Sequence, residues 1–191
     1  MLCTGLSACI SMPLFNQADS TAPAANKPAV MAPAGYNNAI SSAKAGNSAD
    51  AIAQFKEIAA TNPDFYNSYT NLGLLYMQTD NSKEAEQAFQ KALSLNNKDA
   101  VSYNHLGILL RKQGKFTEAQ AMYQKAITVK PDYADACLNL GILYDLYLQD
   151  FPNALIQYNT HQMLTGNQDK VVEKWIIDLN NRILAMSKNP S

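Results

Sequence analysis

A Leu-Gly pair recurs along this chain at a constant interval of 34 residues, with its glycines at Gly73, Gly107 and Gly141. Other residue types recur in register with these glycines. A large side chain follows three residues later, an alanine twelve residues later in the first two copies, and an aromatic ring four residues after that alanine. These positions are Tyr76, Leu110 and Tyr144, then Ala85 and Ala119, then Phe89 and Tyr123. A fixed period of this length predicts one supersecondary unit repeated in series.

The pattern resembles the tetratricopeptide repeat, and the resemblance extends over residues from about 32 to 168. It implies an all-α fold, a right-handed α-solenoid of helix-turn-helix repeats in which glycine and alanine let the two helix backbones of a pair approach closely. The large side chains in register are then expected to fill the space between neighbouring pairs. Pro63 and Pro131 each precede a repeat glycine by ten residues and mark helix ends, since proline lacks an N–H and clashes with the preceding turn.

The same alignment places the boundaries of four repeats. A degenerate copy covers residues 36–65, and it is followed by copies at 66–99, 100–133 and 134–168. The last copy carries a one-residue insertion, because Ala154 follows Gly141 by 13 residues and the earlier interval is 12. Residues 169–187 are apolar every three to four positions, which predicts a helix that caps the open end of the stack. An amphipathic membrane or partner helix is the alternative interpretation.

The first nine residues contain a second short motif. Leu6-Ser7-Ala8-Cys9 resembles the lipobox of bacterial lipoproteins, which implies that residues 1–9 are the remnant of a signal peptide and that Cys9 is lipidated. Ile10 after the cysteine resembles the outer-membrane sorting class. Residues 10–35 carry four prolines and no helical period, which predicts a disordered linker. Only eight residues precede Cys9, none of them Lys or Arg, so a frayed apolar N-terminus is the alternative.

Composition and motifs argue against several classes of function. The formal net charge of −1 argues against a nucleic-acid binder. We find no phosphate-binding loop and no hydrolase or metalloprotease motif, and the two histidines, His105 and His161, lack matched metal ligands. Cys137 occupies a large-residue position of a repeat and is interpreted as a buried apolar group. We therefore predict a protein that is not an enzyme, has no cofactor, metal or small-molecule substrate, and contacts a membrane through its lipid anchor only.

The family resemblance also implies where a partner binds. In tetratricopeptide repeat proteins the first helix of each pair lines a concave groove, and the groove holds an extended peptide or a helix. With glycine as the eighth position, the sixth positions could pair with a peptide backbone and the ninth form an apolar stripe. The predicted groove residues are Asn37, Asn71, Leu74, Asn104, His105, Ile108, Arg111, Lys112, Asn139 and Ile142, with Asp145 adding negative charge further on. As alternatives, the ninth-position residues only fill gaps between helices, and Arg111 and Lys112 only face solvent.

Together these observations predict a non-catalytic scaffold. It would be a lipoprotein of the bacterial outer membrane that faces the periplasm and holds a partner protein for an envelope assembly. The layout resembles lipoproteins of pilus, secretin, cell-wall or TonB-type systems. A soluble adaptor of the same family without a lipid, including a cytoplasmic one, is the alternative.

Overall fold

The computed structural model describes residues 31–188. Within this part of the chain every regular element is helical. The elements are α1 (Tyr36–Lys44), α2 (Ser48–Thr61), α3 (Tyr66–Gln78), α4 (Ser82–Leu95), α5 (Ala100–Lys112), α6 (Phe116–Val129), α7 (Ala134–Leu143), a π-helical turn (Tyr144–Leu148), α8 (Phe151–Leu164) and α9 (Lys170–Lys188). The predicted signal-peptide remnant, Cys9 and most of the predicted linker lie outside the described residues.

The helices form antiparallel pairs that stack in chain order. Each helix from α1 to α9 packs on the next, and α5 also contacts α3 and α7 directly. Pro63 and Pro131 lie two residues beyond the last residues of α2 and α6. This arrangement confirms the predicted all-α solenoid.

The repeat glycines lie against aromatic rings. A Cβ atom added at Gly107 would stand 2.7 Å from the Tyr123 ring, and the same substitution at Gly73 would meet the Phe89 ring at 2.5 Å. The ring belongs to the second helix of the same pair, so the close approach is between a helix backbone and a ring. Phe89 and Tyr123 therefore pack against the glycine of their own pair, and Phe89 also stacks on His105 of the next pair. The repeat alanines, including Ala85 and Ala119, are fully buried.

The turn inside each pair ends the first helix with a left-handed residue. In the first three pairs this residue stands seven positions after the repeat's small residue, and it is Gly46, Asp80 or Gly114. In the fourth pair it is Gln149, eight positions after Gly141. The closing bond from Lys115 N–H to the Leu110 carbonyl spans five residues, and that from Asp150 N–H to the Tyr144 carbonyl spans six. The extra residue therefore widens the last helical turn into the π-turn, Tyr144–Leu148.

Helix α9 lies against α8 at the end of the stack. Its first backbone N–H groups, those of Val171 and Val172, donate to the side chain of Asp169, which immediately precedes the helix. Val172 and Leu179 are buried, and the Trp175 ring lies 5.6 Å from that of Tyr158. The helix therefore buries one apolar side against the last pair.

Candidate functional site

The first helices of the four pairs form one side of the stack, which we call the A-helix face (α1, α3, α5 and α7). The predicted groove residues stand on these helices. The structure shows four different environments for them: buried amides, buried apolar side chains, a buried imidazole and a small accessible set.

The asparagine amides pair within the stack. The Asn71 amide donates to the Tyr36 hydroxyl at 2.8 Å. The Asn139 amide donates to the Asn104 side-chain oxygen at 3.1 Å, which joins α7 to α5. Asn71, Asn104 and Asn139 are all buried, and these amides tie helices of the stack together. Contact of these residues with a partner stays a prediction.

The apolar positions are buried as well. Leu74, Ile108 and Ile142 are each less than a tenth exposed and belong to one core cluster. They occupy equivalent places on α3, α5 and α7. This placement supports the alternative interpretation, in which the ninth-position residues fill the gaps between helices.

His105 is buried without a polar partner. Its ring stacks on Phe89 with centroids 5.7 Å apart and planes 14° apart. Neither ring nitrogen has a hydrogen-bond partner among the residues that the structure describes. Burial disfavours the charged imidazolium and lowers the pKa of His105 to about 4. His105 is therefore a neutral packing residue at neutral pH.

Sequence reasoning missed a buried polar cluster at the start of α5. One Asp99 carboxylate oxygen accepts hydrogen bonds from the hydroxyls of Thr70 and Ser102, each at 2.6 Å. The other accepts from Val101 N–H at 3.1 Å and so caps α5. Burial raises the pKa of Asp99, and the hydroxyl hydrogen bonds oppose that rise. An Asp directly before a repeat helix was the available signal, since it is a favoured N-cap residue.

Three predicted groove residues remain accessible. Asn37 and Lys112 are exposed and Arg111 is half-buried. The Arg111 guanidinium lies over the Tyr147 ring, 5.7 Å from its centroid. The negative charge expected from Asp145 is not displayed, because this buried carboxylate lies 2.7 Å from the Arg182 guanidinium. The accessible cations of this region are Arg111 and Lys112, and the Glu86 carboxylate accepts from the Gln113 amide beside them at 3.0 Å.

The other candidate chemical groups are engaged or shielded. Cys137 is fully buried, and burial raises the pKa of its thiol, so the nucleophilic thiolate is disfavoured. His161 bonds to the Ala134 carbonyl at 3.0 Å and to Asp169 at 3.2 Å. Among residues 31–188 no group of three His, Cys, Asp or Glu side chains is placed to hold a metal ion. Within the same range no helix has the length and apolarity to cross a bilayer.

Comparison with protein families gives two matches. One family model, described as tetratricopeptide repeat, matches residues 64–132, and a second model with the same description matches residues 105–162. Together the matches span residues 64–162, more than half of the 191-residue chain. No curated protein sequence matches the chain.

Solved structures resemble the chain along most of its length. A structure of Pseudomonas aeruginosa pilF aligns with a TM-score of 0.70 and 20% identity, over 80% of this chain and 68% of that one. The crystal structure of MamA aligns with a TM-score of 0.60 and 20% identity, over 78% of this chain and 96% of that one. A thermophilic TPR protein of Thermus thermophilus, TTC0263, aligns with a TM-score of 0.62 and 19% identity, over 75% of this chain and 78% of that one. At these identities the likeness shows a shared fold.

Proposed function

Because this chain belongs to the tetratricopeptide repeat family, whose members are generally protein–protein interaction scaffolds, we propose that it is a non-catalytic scaffold anchored in the bacterial outer membrane. It holds a peptide or helix of a partner protein on the A-helix face. The lipid on Cys9 keeps it at the membrane, on the periplasmic side.

The observation that supports the scaffold role is that some repeat residues are buried in the stack while a few others remain accessible. The buried amides and apolar side chains of α3, α5 and α7 bond or pack against other helices of the stack. Asn37, Arg111 and Lys112 are left accessible, with two positive charges among them. A rigid framework with a small exposed set of polar side chains can hold a partner in a defined orientation.

Photo-crosslinking tests the scaffold role and the face that it uses. A photoreactive side chain is placed at Asn37 or Lys112 on the A-helix face, and at Lys83 or Gln90 on α4 as matched exposed controls. The chain is then irradiated in its own cell envelope. We expect a discrete protein adduct from Asn37 and Lys112 and none from the controls. Absence of an adduct at all four positions contradicts the scaffold role, and adducts only from α4 assign it to another face.

The lipobox and the proline-containing linker support the anchor. Lipid chains contribute about 0.8 kcal/mol per buried CH₂, so several chains on one cysteine hold a protein stably at a bilayer. A spacer of about 25 residues reaches about 80 Å when extended, which leaves the repeats free to meet a partner of a pilus, secretin, cell-wall or TonB-type assembly.

Metabolic labelling with palmitate tests the anchor. We expect incorporation that is lost in Cys9→Ser and kept in Cys3→Ser, the matched control in the same segment. Absence of incorporation, or incorporation unchanged by Cys9→Ser, contradicts the anchor and favours the soluble adaptor.

A further inference from the structure

We propose that the π-turn carries a second docking surface, for a short acidic segment of a partner protein that also bears apolar side chains. This surface, the π-turn patch, consists of Leu146, Tyr147, Leu148 and Phe116. The proposal rests on the scaffold function above and adds to it the place and chemistry of one contact.

The π-turn exposes three consecutive large apolar side chains. Leu146 is 64% exposed, Tyr147 45% and Leu148 37%. The equivalent turns of the second and third repeats read Gln78-Thr79-Asp80 and Lys112-Gln113-Gly114. The inserted residue therefore coincides with a change from a polar to an apolar turn. Exposure of this apolar surface is unfavourable by about 25 cal/mol per Å², and nothing in the described stack covers it.

The patch is held in place by the neighbouring repeat. The Tyr147 ring lies 4.9 Å from the ring of Phe116, the first residue of α6. The Arg111 guanidinium of α5 lies over the same Tyr147 ring, 5.7 Å from its centroid. Aromatic and cation–π contacts of this kind each contribute on the order of 1 kcal/mol. The turn therefore presents a preformed surface, which lowers the entropic cost of binding.

The charge beside the patch selects an acidic partner. Arg111 contacts Tyr147, Lys112 follows Arg111 in the chain, and Lys115 directly precedes Phe116. None of these three cations forms an ion pair with a carboxylate in the part of the chain that the structure describes. Acidic side chains of a bound segment would complement them and speed association.

The same charges disfavour a flat anionic membrane as the occupant. The three cations belong to α5 and the α5–α6 turn, whereas Asp150, two residues after Leu148, caps α8 with a carboxylate. This carboxylate would repel an anionic lipid surface laid over the patch. A single acidic segment can lie along the cationic side and place its apolar side chains on Leu146 and Tyr147.

Binding of a synthetic probe tests the proposal. The probe is a fluorescent twelve-residue peptide in which Asp and Glu alternate with Leu and Phe, and the control peptide has Lys at every acidic position. We expect the full chain to bind the acidic peptide at least tenfold more tightly than the basic one. Leu146→Ser with Leu148→Ser should weaken this binding at least tenfold. The matched control is Ile156→Ser with Met163→Ser, which removes apolar side chains that are 56% and 68% exposed on α8.

Charge variants and vesicles complete the test. Lys112→Gln with Lys115→Gln should weaken binding and flatten its salt dependence, with unchanged thermal unfolding. Equal binding of the two peptides, or equal losses in the Ser variant and its control, overturns the proposal. Sedimentation with phosphatidylglycerol vesicles that depends on Leu146 and Leu148 overturns it in favour of a membrane contact. If crosslinking at Asn37, which is not part of this surface, succeeds while the peptide fails, the scaffold function stands without this surface.

Discussion

At the residue scale, the second, third and fourth repeats are each organised around a contact between a glycine and a ring. Because Gly107 has no side chain, the Tyr123 ring occupies the space where a Cβ atom would stand. The Phe89 ring lies against Gly73 in the same way. His105 shows how a polar side chain is tolerated nearby, since it stays neutral and stacks on Phe89. Both features make quantitative predictions for stability.

Gly107→Leu should destabilise the chain by about 3 kcal/mol, since forcing a large side chain into a packed core distorts rotamers and backbone. The clash is with the Tyr123 ring, which lies 2.7 Å from the position of the first added carbon. Urea denaturation measures the loss. Lys112→Leu, at an exposed position of the same helix, is the control and should change the free energy of unfolding by less than about 0.5 kcal/mol. A wild-type midpoint for Gly107→Leu would contradict the glycine–ring contact.

The protonation of His105 predicts a loss of stability in mild acid. Its pKa is about 4 in the folded chain and about 6.5 in the unfolded chain, so the unfolded state binds more protons between these values. The contribution is intact above pH 6.5 and falls as pH falls toward 4, by about 2 kcal/mol between pH 7 and pH 5. His105→Asn, which copies Asn71 and Asn139 at the same repeat position, should remove this part of the pH dependence. If the unfolding free energies of the wild-type chain and of His105→Asn change with pH in the same way, His105 is not the cause of the acid destabilisation.

At the element scale, the π-turn and α9 form one unit. Asp145 lies in the π-turn and is buried, and it accepts from the Arg182 guanidinium of α9 at 2.7 Å and the Tyr158 hydroxyl of α8 at 3.3 Å. The Asp145–Arg182 ion pair joins residues that are 37 positions apart in the chain. A buried carboxylate needs such a partner, because burial of an uncompensated charge is costly.

Arg182→Gln should therefore cost about 1–3 kcal/mol, less than for a fully buried pair because Arg182 is partly exposed. Asp145→Asn with Arg182→Gln should cost less than the two single losses added together, since neither charge is then left alone. A double-mutant cycle from thermal or urea unfolding measures the coupling. Additive losses would show that the ion pair does not stabilise the α9 contact.

At the scale of the whole molecule, the sequence predicts the features that recur in every repeat, and it does not predict the contacts that depend on residues specific to one repeat. The helix pairs follow from the 34-residue period, because each copy is a local pattern of small and large residues. The buried bond between Thr70 and Asp99 was missed, since it joins two repeats and its residue types do not recur; the equivalent pair one repeat later is Asn104 and Tyr133. The extra residue between Gly141 and Ala154 is visible in the sequence, but a count of residues cannot decide between a longer loop and a widened helical turn. The alignment of the repeats likewise predicts the position of Asn71 on its helix but not how deeply its side chain is buried.

The end of the stack gives the last prediction. Val172 and Leu179 of α9 are fully buried against the last pair, and such side chains contribute about 1.5–3 kcal/mol each. A chain that ends at Gln168 should lose several kcal/mol of stability and expose the Tyr158 ring. Because an uncovered solenoid end promotes association, we also expect concentration-dependent oligomers in analytical ultracentrifugation. A chain that ends at Lys188 is the control. If the shorter chain unfolds like the control and stays monomeric, α9 does not stabilise the stack, and the apolar side it buries against α8 would then be available to another partner.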